Sequence, residues 1–193
     1  MLAHLLRTWL NRTGEFRVVG YACTVEQGWD LCTTQRPDVA LLDIGLAGGD
    51  GLLLAQRLKH TSPHIKIIVV SGREDPYTLY RIQRLDLPGY VSKGISVETI
   101  REAILAVAQG RAYYTAPFER HLQAPDAFFR VLTAREVEAL FAATQWRPQK
   151  VACKKLRITV GTLQKHLSNI RRKLDLHTPD ALLRYAMHLG MGL

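Results

Sequence analysis

Between residues 16 and 110, short apolar runs alternate with segments whose apolar positions recur every three or four residues. "FRVVGYA" (16–22) reads as a strand. "TVEQGWDLCTTQ" (24–35) reads as a helix that Thr24 caps. "DVALLDI" (38–44) is a strand, and Asp50 then opens the helix "GLLLAQRLKH". "IKIIVVSG" is a strand, "EDPYTLYRIQRL" a helix, and "PGYVSKG" a short strand with its loop. Ser96 caps "VETIREAILAVAQG", which Gly110 closes. The opening "MLAHLLRTWLNR" is an amphipathic helix with Leu2, Leu5, Leu6 and Trp9 on one face. The strands beginning at Val39 and Ile65 are continuously apolar, as strands covered on both faces would be. The pattern predicts a parallel sheet with helices on each side, whose chemistry sits outside the carboxyl ends of the strands.

The rest of the chain is helical in period. Residues 113–131 form a mixed linker, in which Pro117 and Pro125 interrupt helical patterns and Phe118, Phe128 and Phe129 supply apolar surface. Thr133 and Glu136 then make a capping box, with Leu132 placed as its staple. Pro148 suits a first helical turn, followed by the short apolar face Val151, Ala152 and Leu156. Thr159 caps the next helix, whose apolar residues Val160, Leu163, Leu167, Ile170 and Leu174 recur at spacings of three and four. Its opposite face carries Gln164, Lys165, Ser168, Arg171 and Arg172. The last helix has Pro179 near its start and Gly190 near its end. Four short helices with a tight second-to-third turn fit a helix-turn-helix, whose third helix enters the major groove.

Charge separates the two halves. The chain of 193 residues carries a formal net charge of +9. Residues 132–193 hold eleven Lys or Arg against four Asp or Glu, whereas residues 1–131 hold 15 against 13. A small basic unit on a nearly neutral one suggests a polyanion-binding module; the plainer alternative is a solvated basic surface. The three cysteines, Cys23, Cys32 and Cys153, have neither metal-ligand nor disulfide-framework spacing and fit a reducing cytosol. No apolar run approaches the roughly 20 residues that span a bilayer, and the opening segment lacks the basic leader of a signal peptide. A cytoplasmic protein is expected.

Asp43, Ser71 and Lys93 fall at the ends of successive strands. Singly, each has a plainer reading: a cap, a small turn residue, an exposed charge. Together they are a nucleophilic carboxylate, a hydroxyl and a fixed cation, the set an aspartate needs to attack phosphorus. The carboxylate becomes an acyl phosphate, while the ammonium and the hydroxyl bind phosphoryl oxygens.

On "PDVALLDI", "GGDG", "IIVVSG" and "GYVSKG", residues 1–112 resemble the receiver domain of bacterial two-component response regulators. The resemblance implies that Asp43 accepts phosphate from a sensor histidine kinase and that Ser71 and Lys93 contact the phosphoryl group. It also implies that Tyr90 rotates inward as Ser71 moves; the plainer reading of Tyr90 is a half-buried edge aromatic. On "LTARE", "VACKKLRI", "TLQKHLSNIRRKL" and "ALLRYA", residues 132–193 resemble the LuxR/NarL-type helix-turn-helix. That implies DNA contacts from Gln164, Lys165 and Ser168, with phosphate contacts from helix caps and flanking basic residues. The expected DNA-binding set is Arg147, Lys150, Thr159, Thr162, Gln164, Lys165, Ser168, Arg171 and Arg172. His166, Asn169 and Lys173 match the pattern and admit a structural role. The last helix, through Leu182, Leu183 and Met187, is either a homodimer contact or core.

The implied fold is an α/β receiver-like (flavodoxin-like) parallel sheet lacking its first strand, followed by an all-α four-helix helix-turn-helix domain. The implied protein is a DNA-binding transcriptional response regulator and not an enzyme. A receiver begins with a strand ending in two acids that, with the phosphoacceptor, hold Mg²⁺. Neither precedes "LAHLLRTWL". Asp43 is then the one metal-binding carboxylate present, and Mg²⁺ is expected only if the acidic pair is restored. Two explanations compete: a start lying downstream of the true one, or a degenerate receiver used for dimerisation or partner binding, which makes the protein a phosphorylation-independent DNA-binding regulator. The survival of Asp43, Ser71, Tyr90 and Lys93 favours the first.

Smaller departures are Ala47, where the family often has proline, and "WRPQK", where it usually has a small polar cap. Gln164 stands where a cation is frequent, and can bind adenine bidentately. Asp50 is best read as a helix cap. A phosphohydrolase is disfavoured because Gly45, not an acid, lies two residues after Asp43. An adaptor that binds only protein would show little salt dependence of DNA affinity.

Overall fold

A computed structural model describes residues 2–123 and 127–192. The chain divides into two compact units, Met1–Glu74 with Arg81–Glu119, and Asp75–Tyr80 with Arg120–Leu193. Along the first half run α1 (Leu2–Arg12), α2 (Val25–Gln35), β1 (Val39–Asp43), α3 (Gly51–Thr61) and β2 (Lys66–Ser71). They are followed by α4 (Pro76–Leu85), β3 (Gly89–Ser92), α5 (Val97–Ala108), β4 (Tyr113–Tyr114) and α6 (Ala116–Gln123). Among the described residues the strands form one parallel sheet in the order β1-β2-β3-β4.

One face of the sheet buries Ile68 and Val91 against Leu10 of α1 and Ile100, Ala103, Ile104 and Val107 of α5. Leu6, Trp9, Val39 and Leu41 pack around them. The amphipathic first helix therefore lies on sheet, as its pattern predicts; the side chains of Leu2 and Leu5 lie outside the described residues. The caps expected from sequence are made: Thr24, Asp50 and Ser96 accept from the backbone N–H groups of Gln27, Leu52 and Thr99. Gly110 closes the turn after α5 at φ 83°.

Residues 16–22 correct the sequence reading. Their burial alternates as in a strand, with Phe16, Val18, Gly20 and Ala22 half-buried and Arg17, Val19 and Tyr21 exposed. Phe16 and Val18 even join the apolar cluster of the sheet. Yet the segment forms no ladder: among the described residues β1 pairs along its length with β2 alone, and only Thr24 bridges to Ala47. Alternation needs only one apolar surface, whereas a strand also needs a partner offering N–H and C=O groups in register. Among the described residues no strand offers that partner. β1, in consequence, is half-buried apart from Leu42, against the expectation of a strand covered on both faces, while β2 is largely buried.

The opposite edge carries a strand that the sequence reading left in the linker. Tyr113 and Tyr114 pair parallel with Gly89 and Tyr90. Pro117 does not interrupt a helix; it sits in the first turn of α6, where its missing N–H costs nothing. Pro125 lies outside the described residues.

The second half continues with α7 (Ala127–Val131), α8 (Ala134–Gln145), α9 (Gln149–Leu156), α10 (Val160–Lys173) and α11 (Pro179–His188). Phe128, Phe129, Leu132, Val137, Leu140, Ile170, Leu182, Ala186, Leu189 and Met191 share one buried cluster. Ala139, Ala142, Ala152, Cys153 and Leu163 form another, where small side chains let α8 and α9 approach closely. The capping box is complete: Thr133 Oγ1 accepts from Glu136 N–H, and Glu136 Oε2 accepts from Thr133 N–H at 2.8 Å.

Candidate phosphoacceptor site and nucleic-acid face

Parallel strands bring three chain-distant residues to one sheet edge. Asp43 ends β1, Ser71 ends β2 and Lys93 follows β3. The Lys93 ammonium lies 2.5 Å from Asp43 Oδ2, and Asp43 Oδ1 accepts from Gly45 N–H at 3.0 Å. The side chains of Asp43 and Lys93 are each about a third exposed (35% and 36%), so a donor in solvent can reach the carboxylate. Such exposure makes the pair worth little in stability, about 0–1 kcal/mol; what it supplies is a cation held at the carboxylate. Lys93 is aimed by its own backbone, whose N–H donates to Ser71 C=O at 2.7 Å. Ser71 is buried, and its hydroxyl accepts from Arg73 N–H at 3.0 Å and donates to Arg73 C=O at 3.3 Å.

The start of α3 closes the site from below. A Cβ on Gly51 would fall 2.1 Å from the Asp43 carbonyl oxygen, so glycine alone permits this approach. Asp50 is the cap the sequence predicts, accepting from Leu52 N–H at 2.9 Å. It also pairs with Arg81 of α4, a contact no local pattern announces because thirty-one residues separate the two. Tyr90 corrects its plainer reading: it is not a half-buried edge aromatic but fully buried (0% exposed) in β3.

Mg²⁺ chemistry at such a site needs several carboxylates converging on one ion. Among the described residues no three of His, Cys, Asp or Glu cluster to hold a metal, and Asp43 already uses one oxygen on Gly45 and the other on Lys93. The side chains present do not fit the ion.

In the second unit α9 and α10 are joined by a tight turn. Arg157 adopts the left-handed conformation (φ 54°), and Ile158 N–H returns to Cys153 C=O at 3.0 Å. Thr159 caps α10 by accepting from Thr162 N–H, and the two hydroxyls lie 2.9 Å apart. Leu163 and Ile170, two turns apart, are fully buried; Leu167 and Leu174 are half-buried. Val160 departs from the expected core stripe: it is 42% exposed and does not join the cluster that holds Leu163.

The opposite face is open. Thr162, Gln164, Lys165, Ser168 and Arg172 are exposed, as are Arg147, Lys150 and Thr159, and Arg171 is half-buried. Eight of the nine expected DNA-contacting residues are thus exposed, six of them on α10 and its cap and two, Arg147 and Lys150, flanking the start of the preceding helix. Gln164 donates from Nε2 to Gln149 Oε1 at 2.6 Å. Gln149 was missed from sequence, and its place just after Pro148, at the start of the preceding helix, was the available signal. The Lys173 ammonium lies 2.7 Å from Glu136 Oε2, the carboxylate of the capping box. Burial raises the pKa of Glu136, but the bonds from Lys173 and Thr133 outweigh it and hold the carboxyl below the ordinary value of 4.5. Leu182 is core, Leu183 half-buried and Met187 58% exposed.

The model of the response regulator receiver domain family matches residues 1–105, and the chain belongs to that family, as a response regulator of the NarL/LuxR type. The transcriptional regulatory protein DesR of Bacillus subtilis is 30% identical over 175 residues, spanning 91% of this chain and 85% of DesR. The oxygen regulatory protein NreC of Staphylococcus haemolyticus is 26% identical over 191 residues, spanning 92% and 88%. Among solved structures, the complex of the two-component response regulator RcsB with DNA superposes with a TM-score of 0.64 at 24% identity, covering 97% of this chain and 93% of that one. That last likeness establishes the shared fold. Among the described residues no helix is long and apolar enough to cross a membrane.

Proposed function

We propose that this chain is a DNA-binding transcriptional regulator switched by phosphorylation of Asp43. An Asp43 carboxylate oxygen attacks the phosphorus of a phosphohistidine on a sensor kinase. An acyl phosphate forms, and the P–N bond to histidine breaks. The Lys93 ammonium, already at the carboxylate, neutralises a phosphoryl oxygen. The added charge of about −1.5 to −2 draws the Ser71 hydroxyl away from Arg73, and Tyr90 responds on the neighbouring strand. Residues 1–112 act as the receiver, 113–131 as the connection and 132–193 as the reader of DNA. Nothing in this scheme requires turnover of a substrate; the protein acts as a regulator, not an enzyme, in the cytoplasm. Mg²⁺ joins the site only if two further carboxylates are supplied from outside the described residues.

On DNA, α10 enters the major groove with Gln164, Lys165 and Ser168 toward the bases. Arg147, Lys150, Thr159, Thr162, Arg171 and Arg172 contact backbone phosphates or bases beside them. A homodimer reads two half-sites about one helical turn apart, with Met187 and Leu183 of α11 as its apolar contact.

The observation that carries the proposal is the ion pair of Asp43 with Lys93 across 50 residues of chain. Incubation with a small phosphodonor and Mg²⁺, followed by intact mass, tests it: one phosphate is expected on the protein and none on Asp43→Asn. DNA affinity should rise with phosphodonor only in the unsubstituted protein, and should fall steeply with salt. The occupation of Asp43 by Lys93 and Gly45, with no metal-holding cluster among the described residues, favours a second reading: a regulator whose receiver works without phosphate. Equal DNA affinity with and without phosphodonor, in both proteins, selects that reading.

A further inference from the structure

We infer that Phe118 and Thr115, at the start of the helix leaving the receiver unit, are positioning residues that read the state of Tyr90. The inference rests on the role of Tyr90 as the residue that answers Ser71, and deepens it by naming what receives the motion. The geometry is continuous. Tyr90 pairs with Tyr114 across the β3–β4 ladder, and Tyr90 C=O accepts from Thr115 N–H at 3.0 Å. Thr115 Oγ1 accepts from Ser92 N–H at 3.1 Å and lies 3.2 Å from the Ser92 hydroxyl. Thr115 C=O in turn accepts from the N–H groups of Phe118 and Glu119, which builds the first turn of α6 directly on β3.

The side chains close the same connection. Phe118 is 3% exposed and stacks on Tyr90, centroids 5.2 Å apart at 27°. Its other flank meets the Tyr114 ring at 5.0 Å, and the Tyr114 hydroxyl is tied to Leu87 C=O at 3.1 Å. Tyr90 is wholly buried, so its ring cannot turn outward without stripping Phe118 of a stacked neighbour and leaving a ring-sized void. Packed interiors do not tolerate such voids; either α6 shifts to fill the space or its first turn loosens. The position of Tyr90 and the docking of α6 are therefore two readings of one packing state. Because α6 is continuous with the chain that leads to the second unit, a change at β3 needs no further contact to be transmitted. Sequence reasoning placed Phe118 in a mixed linker as apolar surface without a named partner, since nothing local links it to a residue twenty-eight positions earlier.

The test has two arms on the full chain. In the first, native-state hydrogen exchange follows the amides of Thr115, Phe118 and Glu119. Tyr90→Ala should speed all three at least tenfold while Ile100 and Gln109 in the α5 region stay within twofold. Phe118→Leu, which keeps an apolar side chain, should speed the flipping of the Tyr90 ring, read by NMR, at least tenfold, and Phe118→Tyr should restore it. If Tyr90→Ala fails to fold, the ring-flip measurement on Phe118→Leu decides alone. Rates within twofold of the parent protein in the measurement that decides overturn the coupling. In the second arm, Phe118→Ala should take up phosphate at Asp43 like the parent but lose the phosphodonor-dependent gain in DNA affinity; retention of that gain overturns the inference. Failure of the parent itself to accept phosphate would instead overturn the proposed switch, and the exchange and ring-flip results would still decide the coupling.

Discussion

Residues 16–22 and residues 159–173 carry equally clear patterns, one of period two and one of period 3.6, and they ended differently. In the second, Thr159 caps, Leu163 and Ile170 bury, and the polar face stays open, as the pattern predicts. In the first, every other residue is half-buried and Phe16 and Val18 join the apolar cluster, yet no strand forms. A helix satisfies its backbone within fourteen residues of its own chain. A strand borrows its hydrogen bonds from a neighbour, and among the described residues none pairs with this segment. β4 makes the converse point: two tyrosines with no sequence signal become a strand because β3 offers them an edge.

The contrast can be broken in four places. The largest effect is expected at Ile68, fully buried in a strand that pairs on both sides. Ile68→Ala should cost about 3 kcal/mol of unfolding free energy in urea; a loss below about 1 kcal/mol would mean the sheet is not packed as described. Next comes Glu136, whose folded pKa lies below the ordinary value. Its contribution is therefore present above about pH 4.5 and lost as pH falls through the lowered pKa. Glu136→Gln should destabilise α8 by about 1–2 kcal/mol at pH 7 and converge with the parent in strong acid. Exchange of α8 amides at both pH values measures it.

A smaller effect is expected at the α10 cap. Thr159→Ala should cost about 1 kcal/mol, read as faster exchange in the first turn of α10 while its last turn is unchanged. The smallest is expected in the segment that failed to pair. Val19→Ser, on its exposed side, should stay within about 0.5 kcal/mol of the parent in urea. A cost above about 1 kcal/mol would show that the segment does belong to a packed sheet.

The candidate site divides in the same way. Asp43, Ser71 and Lys93 were legible because each ends an apolar run, and parallel strands must place their carboxyl ends together. The cap at Asp50 was legible because capping is local. The Arg81 partner of Asp50, the Gln149 partner of Gln164 and the Phe118 ring against Tyr90 were not, since each joins residues from different elements. Lys173 was left open between DNA contact and structure, and its ion pair with the buried Glu136, thirty-seven residues away, was not legible in the sequence.

The amino-acid order alone determined the alternation of strand and helix, the caps, the basic second half and the three polar strand ends, because those depend on residues a few positions apart. Only the tertiary structure decided that residues 16–22 stay outside the sheet, that Tyr113 and Tyr114 join it, and that Tyr90 is sealed under the first turn of α6. Each of those outcomes turns on whether a distant partner occupies the neighbouring space, and backbone pairing and close packing are properties of that space rather than of any segment by itself.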